Sequence, residues 1–287
     1  MEFAYQVLMK TPAETAHHEI LPMVRDAGFE KIAMSFMDND LFLQPNWERV
    51  IQELREEVEN LGLRVEQTHL TFYPLELSSE QKTEEMELIL QRSVQATAIM
   101  GAEWGAYHPR TAFSDNCSVE TGIKDNKETL LRMVEVGEKY NAGVAVENIP
   151  LIEYLFPGQH VFGSDPHELC ELVDQIDSDK IGICWDTGHG HLMEKLHPQV
   201  EAMHLIGSRL KATHLHDNNG FYDSHAVPGT GSMDWAAFMK AVEDIHYTGS
   251  MTFEVRLPKY PEAWKPFIEM TYATGVHMRQ WWPGVKA

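Results

Sequence analysis

The 287-residue sequence predicts an α/β protein built as one (β/α)8 TIM barrel, a single domain over residues 1–287. Short apolar runs alternate with longer amphipathic runs along the whole chain, which is the order of parallel strands joined by helices. The repeat occurs eight times, in a length typical of one closed barrel. No Gly-x-Gly-x-x-Gly follows the first strand. The alternative, a doubly wound sheet that binds a dinucleotide, therefore lacks its signature.

The first four repeats follow from short apolar runs that each precede an amphipathic run. Gly28 and Gly62 stand at the ends of the first two helices, where glycine commonly ends a helix, and Ser79 is a candidate cap for the third. The predicted strands are residues 2–9, 31–36, 63–70 and 103–109, and the predicted helices are residues 16–28, 46–62, 78–101 and 120–141.

The last four repeats continue without a long linker or a low-complexity segment, which favours one domain over two. Pro166 suits the first turn of the fifth helix, because that position needs no backbone N–H. The predicted strands are residues 143–149, 180–189, 211–217 and 249–255, and the predicted helices are residues 164–176, 197–210, 233–246 and 262–282.

Composition limits the function classes. The hydrophobic fraction of 43% suits a globular core, and the net charge of −21 disfavours binding to nucleic acid or to anionic lipid. Cys117, Cys170 and Cys184 form no close pair in sequence, so we expect reduced thiols in the cytoplasm. The first residues lack the pattern of a signal peptide, and no apolar run has membrane-spanning length.

Polar side chains recur where the predicted strands three to eight end. Strands three, four and five end at His69, His108 and Glu147. Strand six ends at Asp186, followed by His189, and strand seven ends at His214 or His216, followed by Asp223 and His225 in its loop. Strand eight ends at Glu254, with Arg256 beyond it. In a barrel these strand ends meet at the face that carries active sites. Glu147 in VAVENI and Glu254 in MTFEV lie within apolar runs, where a carboxylate is costly unless it is paired or coordinated. Imidazole and carboxylate together are ligands for Mn, Zn, Co or Fe, so the sequence predicts a divalent metal site.

Two histidines in the segment HLHD compete for one role. His214 and His216 lie on the same face of the predicted seventh strand, because side chains alternate along a strand. His216 is nearer to the barrel mouth, so we predict that His216 is the metal ligand and that His214 belongs to the core or supports the ligands. The VPGTG segment then returns Asp223 and His225 over the site.

The segments VEN, CWDTGH, HLHDNNGFYDSHAVPGTGSMDW and GSMTFEV resemble the xylose isomerase-like barrel superfamily. This group includes sugar phosphate isomerases and epimerases, ketose 3-epimerases, hydroxypyruvate isomerase, inosose dehydratase and endonuclease IV. The resemblance to the epimerases implies one divalent ion, with Mn as first choice and Zn, Co or Mg as alternatives. The implied ligands are Glu147, Asp186, His216 and Glu254. The arginine that those relatives carry after the seventh-strand histidine is absent here, which weakens the match to ketose epimerases.

The resemblance to endonuclease IV covers a larger set of residues. That set is His69, His108, Glu147, Asp186, His189, His216, Asp223, His225 and Glu254. It implies three zinc ions and a phosphodiesterase that acts on abasic DNA. A rim that binds a duplex needs several cations, and near these motifs the sequence offers chiefly Arg110, Arg256 and Lys259.

The preferred prediction is a metal-dependent isomerase or epimerase of a sugar, polyol or keto acid. One of Glu147 and Glu254 removes a proton to form a metal-bound enediolate, and the other returns it. Loss of a hydroxyl from the same intermediate would make an inosose dehydratase-like lyase instead. A barrel that only binds is disfavoured, because the acidic residues are intact. The predicted substrate contacts are His69, His108, His189, Trp104 and Arg256. The expected partner is a small sugar-like molecule, with no nucleic acid and no membrane, and a homo-oligomer is compatible with the sequence.

Overall fold

Eight parallel strands form the barrel, and they follow one another around it in sequence order. The computed structural model describes residues 2–9, 16–72, 84–111, 118–151 and 160–281. The strands are β1 (Phe3–Met9), β2 (Lys31–Phe36), β3 (Arg64–His69), β4 (Trp104–Tyr107), β5 (Gly143–Glu147), β6 (Ile181–Asp186), β7 (Leu210–His214) and β8 (Met251–Phe253). They pair in the order β7-β6-β5-β4-β3-β2-β1-β8. The N–H of Leu215 donates to the carbonyl of Thr252, which brings β7 and β8 together and closes the ring.

Helices follow the strands along the chain and cover the outside of the barrel, except for the short helix that begins at Thr187 at the end of β6. They are α1 (Ala16–Ala27), α2 (Trp47–Asn60), α3 (Glu84–Ile99), α4 (Val119–Tyr140), α5 (Pro166–Ile176), α6 (Thr187–Leu192), α7 (Gln199–Ile206), α8 (Trp235–Asp244) and α9 (Trp264–Met278), with 3-10 turns at Asp40–Leu43, Gly207–Arg209, Pro261–Ala263 and Arg279–Trp281. The predicted (β/α)8 fold is confirmed. The extent of the domain over residues 1–287 stays a prediction.

Several strands end earlier than predicted, and the two largest differences are in the sixth and seventh strands. The sixth strand ends at Asp186 because a short helix, α6, starts there, and the carboxylate of Asp186 accepts the N–H of His189 as its cap. The seventh strand ends at His214, three residues earlier than predicted. Ser79, the predicted cap of the third helix, lies outside the described residues, as does Cys117. Cys170 and Cys184 are free and buried.

Small side chains fill the interior of the barrel below the strand ends. Ala106, Ala145, Cys184 and Ala212 form a buried cluster inside the ring. Two positions further along the same strands stand His108, Glu147, Asp186 and His214, on the same side of the backbone because side chains alternate. A small residue beneath each polar one leaves room for the larger polar side chains above.

The amino-terminal end of the barrel carries a separate polar cluster. Lys31 is buried, and its Nζ lies 2.6 Å from Glu2, 2.7 Å from Glu66 and 3.0 Å from the hydroxyl of Ser250. These contacts neutralise the lysine, so its burial needs no other partner. Within the described ranges, no helix combines the length and the apolar character that crossing a membrane requires.

Candidate metal centre

Glu147 lies at the end of β5, fully buried, with imidazoles on several sides. Its Oε2 atom is 3.1 Å from Nδ1 of His214, 3.3 Å from Nε2 of His108 and 3.5 Å from Nε2 of His69. Its Oε1 atom is 3.4 Å from Nδ1 of His189. None of these contacts has the direction of a hydrogen bond, so among the described residues both oxygens lack a hydrogen-bond donor.

The electrostatics of this cluster require positive charge beside the carboxylates. Burial favours the neutral form of Glu147, yet the charge of His214 beside it holds its pKa well below the usual range, whereas burial lowers the pKa of His108. Burial likewise disfavours the charged form of His214, but Cys184, Glu254 and Glu147 raise its pKa well above the usual value. A protonated histidine or a bound cation can supply this charge.

Three carboxylates and one histidine meet at the ends of β5, β6, β7 and β8. Glu147, Asp186, His214 and Glu254 each offer one ligand atom, and these atoms lie within 4.8 Å of one another. The strand register explains this, because Asp186 on β6 pairs with His214 on β7. His214 is also 3.2 Å from Oε2 of Glu254 through its Nδ1 atom. We name these four residues the central group.

His216, which the sequence predicts as a ligand together with Glu147 and Glu254, does not lie in the central group. Both histidines lie on the predicted face, but His214 is level with Asp186, whereas His216 lies two residues further, a step of about 3.3 Å per residue. The Nε2 atom of His216 lies 2.9 Å from Oδ1 of Asp186. His216 therefore borders the central group.

His216 belongs instead to a second set of candidate ligands, which we name the outer group. His189, His216, Asp223 and His225 offer ligand atoms within 4.8 Å of one another. The ring of His216 stacks on that of His225, with 4.0 Å between centroids. Against the effect of burial, Asp186 raises the pKa of His189 to about 10, and Asp223 raises that of His225 to about 9. In the outer group, as in the central group, positive charge on the imidazoles offsets the negative charge of the neighbouring carboxylates.

A third set of candidate ligands shares two residues with the central group. His69, Glu147 and His214 offer ligand atoms within the same 4.8 Å limit. His108 adjoins this set, with its Nε2 atom 3.2 Å from Nε2 of His69. The structure thus brings together every predicted metal ligand and divides them into adjoining groups.

The orientation of three histidines suits metal binding. The Nδ1 atoms of His69, His189 and His225 lie 2.8 Å, 2.8 Å and 3.0 Å from the backbone carbonyls of Leu70, Asn148 and Glu254. A carbonyl oxygen only accepts, so Nδ1 carries the hydrogen in each ring and Nε2 keeps its lone pair when the ring is neutral. Metal-ligating histidines in proteins are held in the same way.

Two polar residues that the sequence analysis missed hold the ligands in place. Gln6 on β1 donates from Nε2 to Oε1 of Glu254 at 2.9 Å and to the hydroxyl of Ser35 at 2.6 Å. Asn148 accepts the N–H of Asp186 at 2.6 Å and donates to its carbonyl at 2.9 Å. A polar residue within the apolar run FAYQVLM was the available signal for Gln6.

The predicted substrate contacts lie at two different ends of the barrel. His69, His108 and His189 face Glu147, and Arg256 lines a cavity next to Glu254. Trp104 does not lie there, which corrects its prediction as a substrate contact. The strand β4 begins at Trp104, so its ring lies at the amino-terminal end of the barrel, where it packs against Lys211.

The buried polar atoms fit a divalent cation. Glu147 Oε1 and Oε2, His214 Nδ1 and Nε2, His216 Nδ1 and Asp223 Oδ1 are buried without a hydrogen-bond partner among the described residues. Buried polar groups are normally hydrogen-bonded, and the binding of an ion is a common reason for exceptions. The carboxylate and imidazole donors suit Mn, Zn, Co or Fe.

Comparison with known proteins gives partial matches in sequence. An uncharacterized protein of Methanocaldococcus jannaschii is 33% identical over 132 residues, which are 46% of this chain and 43% of that protein. The D-psicose 3-epimerase of Enterocloster bolteae is 30% identical over 114 residues, which are 40% of this chain and 32% of that enzyme. Each match spans less than half of the curated relative.

A solved structure and a protein-family model both match this chain over much more of its length. The crystal structure of the IOLI protein with a binding zinc atom superposes with a TM-score of 0.75 and 17% identity, over 99% of this chain and 100% of that one. At this identity the likeness shows the fold. The family described as xylose isomerase-like TIM barrel matches residues 21–274. The chain therefore belongs to the xylose isomerase-like TIM barrel family.

Proposed function

We propose that the protein is a sugar isomerase or epimerase that moves a proton on a carbon next to a carbonyl group. The observation that carries this proposal is the central group, in which Glu147 and Glu254 approach His214 from β5 and from just beyond β8. Two carboxylates around one centre provide a base and an acid on different sides of a substrate. Membership of the family and the partial match to a D-psicose 3-epimerase support the proposal.

The two glutamates of the central group differ in solvent exposure, and we assign them different roles in proton transfer on that basis. Glu254 is 15% exposed and is oriented by Gln6, so it faces the cavity from which a substrate arrives and removes the proton. Glu147 is 1% exposed and is kept ionised by the neighbouring histidines, so it acts as a base from the inner side and returns a proton only after it has accepted one. His69 and His108 line this space and hydrogen-bond substrate oxygens.

A divalent ion would be held by Glu147, Asp186, His214 and Glu254, with Mn as first choice and Zn, Co or Mg as alternatives. When bound, it supplies a Lewis acid that polarises the substrate carbonyl. The Nδ1 atom of His189 donates to the carbonyl of Asn148, and its Nε2 atom lies 3.7 Å from Oδ2 of Asp223. His189 is thereby positioned to contact a substrate oxygen.

The test is the exchange of substrate protons with deuterated water, followed by NMR across a panel of ketoses, inososes and keto sugars. The protein is loaded in turn with Mn, Co, Zn or Mg. We expect exchange at one carbon next to the carbonyl, and its loss in Glu254→Gln. Full activity of both Glu147→Gln and Glu254→Gln would overturn the proton-transfer roles. Release of water from an inosose would assign the lyase reaction instead.

The second candidate function is a phosphodiesterase that acts on abasic DNA with three zinc ions. The outer group and the set with His69 favour it, because they provide ligands beyond the central group. The net charge of −21 opposes it, since binding to DNA depends on contacts between cations and phosphates. Metal analysis of the purified chain separates the candidates, because one ion per chain supports proton transfer and three zinc ions support hydrolysis. Incubation with an oligonucleotide that carries an abasic site tests hydrolysis directly.

A further inference from the structure

A cavity of about 470 Å³ opens beside the central group, between the ends of β1 and β2 and the start of α9. Gln6, Glu254 and His225 line its inner end. Its walls are apolar, and they include Leu8, Met37, Phe72, Leu257 and Trp264. The cavity is therefore continuous with the site of the proposed chemistry and differs from it in polarity.

The exposed apolar side chains of this cavity lie where a ligand would cover them. Leu8 is 40% exposed and Met37 is 41% exposed, although the strands that precede or carry them are otherwise almost wholly buried. Leu8 lies on the same face of β1 as Gln6 and two residues nearer to the mouth. Leu8 and Glu254 both line the cavity, so a molecule that fills it contacts both.

The polar groups of the cavity do not suit a phosphorylated substrate. Arg256 is the only lysine or arginine among the described residues that line it, and Arg256 is exposed. Glu254 adds a negative charge at the inner end, and the chain as a whole carries −21. A phosphate needs several cations or N–H donors, whereas an uncharged apolar group gains from leaving water.

We infer that the substrate is a keto sugar with an uncharged apolar substituent, and that the protein binds this substituent between Leu8, Met37 and Trp264. The inference rests on the proposed function, since it assigns the substrate class of the same site. The volume is in the range of pockets that enclose small organic molecules. In such pockets an apolar group that becomes enclosed contributes roughly 10-fold or more to selectivity.

The experiment uses a sugar whose ketone lies away from the anomeric carbon, such as 3-keto-D-glucose, because its glycosides keep the carbonyl group. It compares the free keto sugar with its methyl, hexyl and phenyl glycosides and with its phosphate ester. Proton exchange in deuterated water gives kcat/KM for each compound on the metal-loaded protein. We expect kcat/KM to rise about 10-fold or more from the methyl to the hexyl or phenyl glycoside. Leu8→Ser and Met37→Ser are expected to remove most of this rise. Leu43→Ser is the matched control, because Leu43 is 37% exposed and does not line the cavity.

Calorimetry with phenyl and hexyl glucosides, which have no carbonyl group, measures binding in the cavity without turnover. We expect binding by the parent protein and by Leu43→Ser, and at least 10-fold weaker binding by Leu8→Ser. Equal kcat/KM for free and substituted sugars, or preference for the phosphate ester, would overturn the inference and leave the proposed function intact. Binding of the glucosides without proton exchange from any keto sugar would contradict the proposed function while supporting an apolar ligand in the cavity.

Discussion

Two buried carboxylates at the same end of the barrel, Asp217 and Glu147, have opposite surroundings. Asp217, in the loop after β7, accepts four hydrogen bonds: from the N–H groups of Asn218 at 2.8 Å, Gly229 at 2.8 Å and Met233 at 3.3 Å, and from the indole of Trp235 at 2.9 Å. Glu147 has imidazoles around it and no hydrogen-bond donor among the described residues. Both side chains are fully buried.

This difference separates a structural role from a functional one. The hydrogen bonds of Asp217, with the backbone pair between Asp217 and Ala226, fix the loop that carries Asp223 and His225. Such a carboxylate is stable without any ligand. The oxygens of Glu147 instead remain available for a cation or a substrate, at a cost that its neighbours offset through their charge.

The largest expected effect is on catalysis in Glu147→Gln. If Glu147 transfers a proton, proton exchange falls by roughly 10²–10⁴-fold. The free energy of unfolding of the metal-free protein changes by only about 1 kcal/mol, because the neighbouring histidines can release their protons. Exchange kinetics and urea denaturation measure the two quantities. Glu66→Gln is the control, since Glu66 pairs with Lys31 at the other end of the barrel and its exchange rate should not change.

Asp217→Ala is expected to show the opposite pattern. It leaves several buried N–H groups without an acceptor, so the free energy of unfolding falls by about 3 kcal/mol. Urea denaturation of the metal-free protein measures this. Asp234→Ala serves as the comparison, because Asp234 only caps α8 and its loss costs about 1 kcal/mol. Similar costs for the two variants would contradict the structural role of Asp217.

Metal binding gives a further test of the difference between Glu147 and Asp217. A bound ion should stabilise the protein through Glu147, and this stabilisation should not depend on the hydrogen bonds of Asp217. At about 100 times its dissociation constant, Mn or Zn raises the free energy of unfolding by about 2.7 kcal/mol. Thermal unfolding with and without a chelator measures this increase. It should largely disappear in Glu147→Gln and in Asp186→Asn, and persist in Trp235→Phe. An increase that survives in Asp186→Asn would place the ion outside the central group.

The smallest expected effect belongs to Trp235→Phe. This change removes one of the hydrogen bonds to Asp217 and keeps most of the buried aromatic surface. The free energy of unfolding should fall by about 1 kcal/mol. The variant is informative because it weakens the surroundings of Asp217 without touching the candidate ligands. A loss as large as that of Asp217→Ala would mean that the indole alone holds the loop.

Most of the candidate site could be predicted from the sequence, because strand ends of a barrel share one face. His69, His108, Glu147, Asp186 and Glu254 were found from their positions at the ends of apolar runs. The observed groups of ligand atoms contain or adjoin each of them. The alternation of side chains along a strand is a local property, so it can be read without knowledge of the neighbouring strands.

Three features were missed in this way. The presence of His214 rather than His216 in the central group depends on which residue of β7 is level with Asp186. Trp104 was assigned to the barrel mouth although it is the second residue of the predicted fourth strand and the first residue of the observed one, and the first residues of a strand lie at the opposite end of the barrel. The donors that hydrogen-bond to Asp217 lie from 1 to 18 positions away from it in the sequence, and no local sequence pattern predicts these bonds.

The sequence by itself determined the eightfold repeat of strand and helix, the chemical types of the candidate ligands, and the end of the barrel at which most of them lie. These follow from periodicity and from the direction of each side chain, which are set within a few residues. Only the tertiary structure decided how the ligands divide into central and outer groups and which carboxylate is satisfied by hydrogen bonds. Those depend on the register between strands and on loop contacts, because the height of a residue along the barrel is fixed by its partners on other strands.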